Sequence, residues 1–242
     1  MKYDVFVKLV KSVVLKDCAH SRQYATGKIL KYWHLRRLYN TFLEIKKIIH
    51  KFDIKTTIDT GSSDALVTRL IKDQYPHIQS IASDFKRYPV SHVNEVDFII
   101  FDLLSSKHTS ERFDLVTCFE TLEHVGNLET AISNLIDLVN LNGILFITVP
   151  VEVGFYGIIK TFPKLFTNHY KFNELCCSRV SYFISLFTGN SSDKRNELDH
   201  YGYHFGFSHK KLLKRIYNND SLNVLSVNTT SSTCSIILKK IY

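Results

Sequence analysis

The chain has 242 residues, 45% of them hydrophobic, and a formal net charge of +8. That length and apolar content suffice for the core of one α/β domain with additions, and the absence of a run of about 18 uncharged apolar residues argues against a membrane-spanning helix. The positive charge is spread along the chain with no tract of five or more like charges, so it reads first as a solvated surface and only second as a footprint for nucleic acid or acidic lipid.

Five cysteines, Cys18, Cys118, Cys176, Cys177 and Cys234, form an odd set without a Cys-x-x-Cys pair. A disulfide framework or zinc knuckle is therefore not expected, and a reducing cytoplasm is. The apolar patch between Met1 and Lys16 is broken by Lys8 and Lys11 and carries no small-residue cleavage pattern, so no signal peptide is expected.

In chain order, residues 1–27 are ambiguous, with a short helix and a loop at Ala25-Thr26-Gly27 as the reading. From Lys28 to Lys51, Leu35, Leu38, Phe42, Ile45 and Ile49 recur every three and four residues with the basic side chains mostly off that stripe, which predicts an amphipathic helix. Thr57-Ile58-Asp59-Thr60-Gly61-Ser62-Ser63-Asp64-Ala65 then gives a β-branched run, an Asp-x-Gly turn and an apolar helix from Leu66, the corner that binds nucleotides in α/β sheets. Gly61 supplies the turn position where a side chain would clash, whereas Ser63 and Ala65 stand where richer versions of the loop carry glycine. Asp84, closing the next apolar run, is placed to accept from both hydroxyls of a ribose.

Further strands are expected at about 97–102 and 113–119, with a loop at Pro89 before the first of them. A helix is expected from Leu128 to Asn140, ended by Asn142-Gly143 before a fifth strand. Ser208 is a plausible N-cap for a helix carrying Leu212, Leu213 and Ile216, and strands at Leu222–Val227 and Cys234–Ile241 follow. Strands alternating with helices predict a doubly wound parallel sheet with both faces covered.

Phe98-Ile99-Ile100-Phe101-Asp102-Leu103, the run Phe113 to Val125 and Leu141-Asn142-Gly143 leading to Pro150 complete an ordered series of landmarks. The series resembles the class I S-adenosylmethionine-dependent methyltransferases, and Glu120-Thr121-Leu122-Glu123-His124-Val125 is most similar to the branch that includes the ubiquinone-biosynthesis O-methyltransferases. The resemblance implies a Rossmann-like α/β sheet of seven mostly parallel strands with one antiparallel member. Residues 1–52 are expected as an N-terminal helical extension and 53–242 as the methyltransferase domain. Within the latter, the unmatched 151–203 segment is expected to form a mobile, mostly helical lid.

The resemblance also implies site residues. The backbone at Gly61 and Ser63 approaches the cofactor, Asp59 serves its methionine amino group, Asp84 its ribose, Phe85 and Asp102 its adenine, and Phe119 and Glu120 border its methionine end. Tyr32, Trp33 and Arg37 are implied as neighbours of the pocket, although Trp33 is expected mainly to fill core volume. Methyl transfer from a sulfonium is an in-line displacement, so the protein must chiefly hold nucleophile and methyl in near-attack geometry. A hydroxyl acceptor also needs a base, for which His124 and His204 are the candidates, with His200 and His209 nearby. Glu120, Glu123 and His124, at i, i+3 and i+4, match a group that holds a divalent metal such as Mg2+ in certain ubiquinone O-methyltransferases.

The lid segment mixes Phe155, Tyr156, Phe162, Phe166, Tyr170, Phe172, Tyr182, Phe183 and Phe187 with Lys and Arg, suited to a small-molecule, glycan or lipid-like acceptor and to peripheral membrane contact. Two other classes compete: a cofactor-free, methyltransferase-like binding protein and an RNA methyltransferase. Nucleic acid is disfavoured as a partner, because the aromatic and basic cluster contains no recognised RNA module.

Overall fold

The computed structural model of the protein describes residues 1–13, 28–87, 96–105, 110–159, 176–188, 198–202, 204 and 206–242. The loops expected at Ala25-Thr26-Gly27 and Pro89, together with Cys18, Phe162, Phe166, Tyr170 and Phe172, lie outside them. Along the chain come α1 (Tyr3–Val13), α2 (Lys28–Lys51), β1 (Thr56–Thr60), α3 (Leu66–Gln74), β2 (Gln79–Asp84), β3 (Asp97–Ile100) and β4 (Phe113–Phe119). A 3-10 turn (Leu122–His124), α4 (Leu128–Leu138), β5 (Val139–Pro150), α5 (Arg179–Thr188), α6 (His209–Tyr217), β6 (Leu222–Thr229) and β7 (Thr233–Lys240) follow.

The seven strands form one sheet in the order β3-β2-β1-β4-β5-β7-β6. β7 alone runs against the others, so both pairings it makes, with β5 and β6, are antiparallel while the remaining pairings are parallel. This is the expected Rossmann-like sheet with its single reversed member. Its strand order changes direction between β1 and β4, and in open α/β sheets such a switch point opens a crevice at the carboxyl ends of the strands.

Alternate residues of the central strands feed two cores. Leu115, Ile144 and Phe146 pack with Phe6, Phe42, Ile45, Leu70 and Ile71, which places α1, α2 and α3 over one face. Val116, Leu145 and Ile147 pack with Leu135, Leu212 and Ile216, which places α4 and α6 over the other. Each such side chain, fully withdrawn from water, contributes roughly 1.5–3 kcal/mol, enough to fix the sheet between its two helical layers. Asp114 ties three strands at their opposite ends. Its Oδ2 accepts from the amides of Lys55 and Thr56 at 2.9 and 3.0 Å and its Oδ1 from Asn140 Nδ2 at 2.8 Å. Burial works to raise this carboxyl, yet these donors prevail and hold it below its ordinary value.

Three local expectations change. The helix expected to reach Asn140 ends at Leu138, because Val139 already pairs with Phe113 and Asn140 is drawn to Asp114. Ser208 stands at the N-cap position of α6, but its hydroxyl makes no capping bond. Trp33 and Tyr32 are 59% and 55% exposed instead of filling the core, because the buried stripe of α2 passes through Leu35, Leu38, Phe42, Ile45 and Ile48.

Candidate active site

A cavity of about 630 Å³ opens at the switch point, lined by every residue assigned from sequence to the cofactor and by Arg37, while Tyr32 and Trp33 are not part of its wall. β1 delivers Asp59 at its end and turns at Gly61 with φ +66°, the left-handed region that glycine enters without penalty. A Cβ at Gly61 would also collide with the side chain of Thr121, so the turn is closed to larger residues from above. Ser63 and Ala65 keep the same left-handed conformation, with φ of 52° and 58°, although neither is glycine. The loop therefore retains the glycine-rich path at a cost of about 1 kcal/mol per residue.

Asp84, 4% exposed at the end of β2, ties itself to that loop. Its Oδ2 accepts from the Ser63 amide at 2.8 Å. Burial raises this carboxyl above its usual range, opposed by backbone donors at Ser63, Phe85 and Lys86. Asp59 is 5% exposed and accepts from Thr117 Oγ1 at 2.6 Å. Burial pushes it up to about 7 against that hydrogen bond, and the charges of Asp84 and Asp64 add to the rise. Carboxylates this reluctant to ionise gain most from a cationic or hydroxyl-bearing ligand.

At the end of β4, Glu120 adopts φ +50° and turns to α2, where Arg37 Nη1 meets its Oε2 at 2.6 Å. Thr148 Oγ1 donates to its other oxygen at 3.3 Å. Glu123 lies in the 3-10 turn that follows and is fully buried, its carboxyl raised well above the ordinary range by burial, with Glu120 and Glu152 adding and Arg37 opposing. His124 Nδ1 lies 2.8 Å from the carbonyl of Tyr201. A carbonyl only accepts, so the proton is on Nδ1 and the basic lone pair is on Nε2.

A strap of residues 198–202 crosses the mouth. Val125 and His200 form an isolated bridge, the Gly126 amide donates to Asp199 at 2.8 Å, and the Tyr201 amide donates to His124 at 2.8 Å. A side chain at Gly126 would strike the Leu198 carbonyl, so the two segments meet at backbone distance. Beyond the strap, His204 places Nε2 3.8 Å from Glu123 Oε1 and Nδ1 3.9 Å from Glu152 Oε1, with the His124 ring edge-on at 4.8 Å between centroids. His200 stacks on Phe85 and approaches Asp102, whereas His209 is buried at the start of α6, outside the cavity.

Glu123, His124 and His204 bring one ligand atom each within 4.8 Å of one another. Glu120, expected in the metal group, is not in this cluster, since the 3-10 turn begins after it and its carboxylate is engaged by Arg37. Sequence reasoning missed Glu152 and Thr117. Glu152 follows the carboxyl end of β5, the position where α/β sheets present ligand residues, and that rule was its available signal.

The Methyltransf_23 family model, a methyltransferase domain, matches residues 17–218. The chain thus belongs to the methyltransferase domain family, as a class I S-adenosylmethionine-dependent enzyme. Among solved structures it is similar to magnesium protoporphyrin IX methyltransferase (ChlM) from Synechocystis PCC 6803 with bound SAH, at 12% identity and a TM-score of 0.61, over 98% of this chain and 97% of that one. It is also similar to the plantazolicin methyltransferase BpumL, solved with a monoazolic desmethylPZN analog and SAH, at 10% identity and a TM-score of 0.55, over 99% of each chain. At such identities the likeness is one of fold. No curated protein sequence matches the chain.

Proposed function

We propose that the enzyme methylates a hydroxyl of a small-molecule, glycan or lipid-like acceptor, with His204 as the base that takes the hydroxyl proton. The observation that carries this reading is the setting of His204 between Glu123 and Glu152 with His124 against it, on the cavity side of β4 and β5. When bound, S-adenosylmethionine supplies a methyl group already activated by its sulfonium, so the chain's own work is placement and proton transfer. Asp84 holds the ribose, Phe85 and Asp102 the adenine, and Gly61 and Ser63 give the cofactor close access to backbone. Asp59, Phe119 and Glu120 hold the methionine end. The left-handed backbone kept at Ser63 and Ala65 supports cofactor binding over a cofactor-free role. His204 takes the acceptor proton, Glu152 beside its Nδ1 favours the resulting imidazolium, and His124 orients the ring.

The grouping of Glu123, His124 and His204 supports a second reading, in which the three hold a divalent cation. Two imidazoles and one carboxylate suit a first-row transition ion better than Mg2+, which favours oxygen ligands. Residues 151–203 serve in both readings as the lid that selects the acceptor. The exposed stripe Val180, Ile184 and Phe187 on α5 supports an apolar acceptor met at a membrane surface. No described helix is long and apolar enough to cross a membrane.

Acceptors screened by S-adenosylhomocysteine release test the reading. With an acceptor in hand, His204→Asn should cut turnover at least 100-fold while cofactor affinity stays within about twofold, in keeping with the weight of general-base catalysis. Full turnover by that variant in the presence of chelator would overturn both readings. Activity lost to chelator and restored by a transition ion would select the second.

A further inference from the structure

The strap places an aromatic ring where the cofactor assignment needs another. His200 stacks on Phe85 at 5.1 Å between centroids and 21° between planes. Its Nε2 lies 3.7 Å from Asp102 Oδ2, while the other carboxylate oxygen is engaged by the Leu104 amide at 2.9 Å. Phe85 and Asp102 are the two side chains assigned to adenine, and one imidazole contacts both. The match is chemical as well as positional: imidazole is planar and aromatic, has the size of the five-membered half of a purine, and turns a nitrogen toward the carboxylate as an exocyclic amine would. Stacked rings in contact leave no gap for a third. A base inserted between them would need the centroids at roughly twice the present separation.

We propose that His200 is an internal stand-in for the adenine ring, occupying its subsite, so that a nucleoside ligand enters only by displacing it. The proposal rests on the assignment of Phe85 and Asp102 given above. The backbone of His200 is pinned by the bridge to Val125, and its neighbours are pinned by the bonds from Gly126 to Asp199 and from Tyr201 to His124. The ring therefore leaves by rotation about its side-chain bonds while the strap stays in place. Lys86 also approaches that ring, its Nζ 5.1 Å from the Phe85 centroid. The device sets one imidazole against both Phe85 and Asp102, although Phe85 remains 46% exposed beside it. It also sets part of the adenine contact against the loss of an internal one, which weakens nucleoside binding relative to an open site.

Titration calorimetry on the full chain with S-adenosylhomocysteine, and separately with adenosine, tests the idea. His200→Ala should bind both more tightly than wild type, by about three- to tenfold, because the competitor is gone. Unchanged or weaker binding by a folded variant would overturn the stand-in role while leaving the cofactor assignment intact. Absence of binding by wild type and variant alike would overturn the assignment and the inference with it. A second measurement holds should His200→Ala not fold: in wild type, the nuclear Overhauser contact between the His200 and Phe85 rings should vanish at saturating S-adenosylhomocysteine. Its persistence in the complex would overturn the proposal.

Discussion

The guanidinium of Arg37 closes on the carboxylate of Glu120 at 2.6 Å, joining helix α2 to the end of β4 at the wall of the cavity. The pair couples an element that lies outside the sheet to the residue that leaves it. With side chains 33% and 18% exposed, it is neither a solvated surface bridge nor a dry one. A double-mutant cycle with Arg37→Ala and Glu120→Ala in urea unfolding should give a coupling energy of about 1 kcal/mol, near the top of the range for exposed pairs. A coupling indistinguishable from zero would show that α2 is held by its apolar stripe alone.

Asp59 carries a proton question. Its folded value of about 7 stands above the ordinary 3.8, so the folded chain holds this proton more tightly than the unfolded one does. Its contribution to stability is therefore fully present below about 4 and is lost as pH rises through about 7. Asp59→Asn should lose less stability between pH 5 and pH 8 than wild type in parallel urea titrations. A cationic ammonium at this carboxylate favours the ionised form, so S-adenosylhomocysteine binding at pH 7 should release up to about half a proton. Calorimetry in buffers of different ionisation enthalpy reads that number, and zero release would refute an ionised Asp59 in the complex.

Gly61 faces two separable obstacles to substitution, its positive φ and the Thr121 side chain above it. Gly61→Ala should destabilise the fold by about 2 kcal/mol or more and abolish S-adenosylhomocysteine binding. Adding Thr121→Ala should recover part of the stability, leaving about 1 kcal/mol of left-handed strain. Equal melting temperatures for the single and double variants would mean that the collision relaxes without cost.

Thiol reactivity should follow burial. Burial pushes the Cys118 thiol up to about 12 and raises Cys234 as well, and both side chains are inaccessible, whereas Cys176 is exposed. Alkylation of the native protein followed by peptide mapping should label Cys176 ahead of Cys118 and Cys234, which react only after unfolding. Early labelling of Cys118 would indicate local opening of β4.

The sheet was legible because its signals are local. The β-branched entry into Asp59-Thr60-Gly61 and the apolar run ending at Asp84 each announce a strand end, and a parallel sheet then gathers those ends at one edge. The histidine environment was less legible, since Glu123, Glu152 and His204 lie on separate elements and meet only when the strap crosses back to the 3-10 turn. A helical reading of Glu120, Glu123 and His124 placed all three together. The left-handed Glu120 instead sends its carboxylate to Arg37, a pairing 83 positions away that no local spacing encodes. Trp33 was misjudged because α2 buries one face only, and a bulky ring can stand on either side of such a boundary.

The excursion between β5 and the strap has both of its ends fastened. Val151 donates to Ser232 at 3.0 Å where the chain departs, and where it returns Asp199 accepts from Gly126 and Tyr201 donates to His124, each at 2.8 Å. Lengthening a loop whose ends are already held together costs little, about 0.6 kcal/mol for each doubling. A change of length between these fastened ends is therefore carried by the segment itself and need not be transmitted to the sheet.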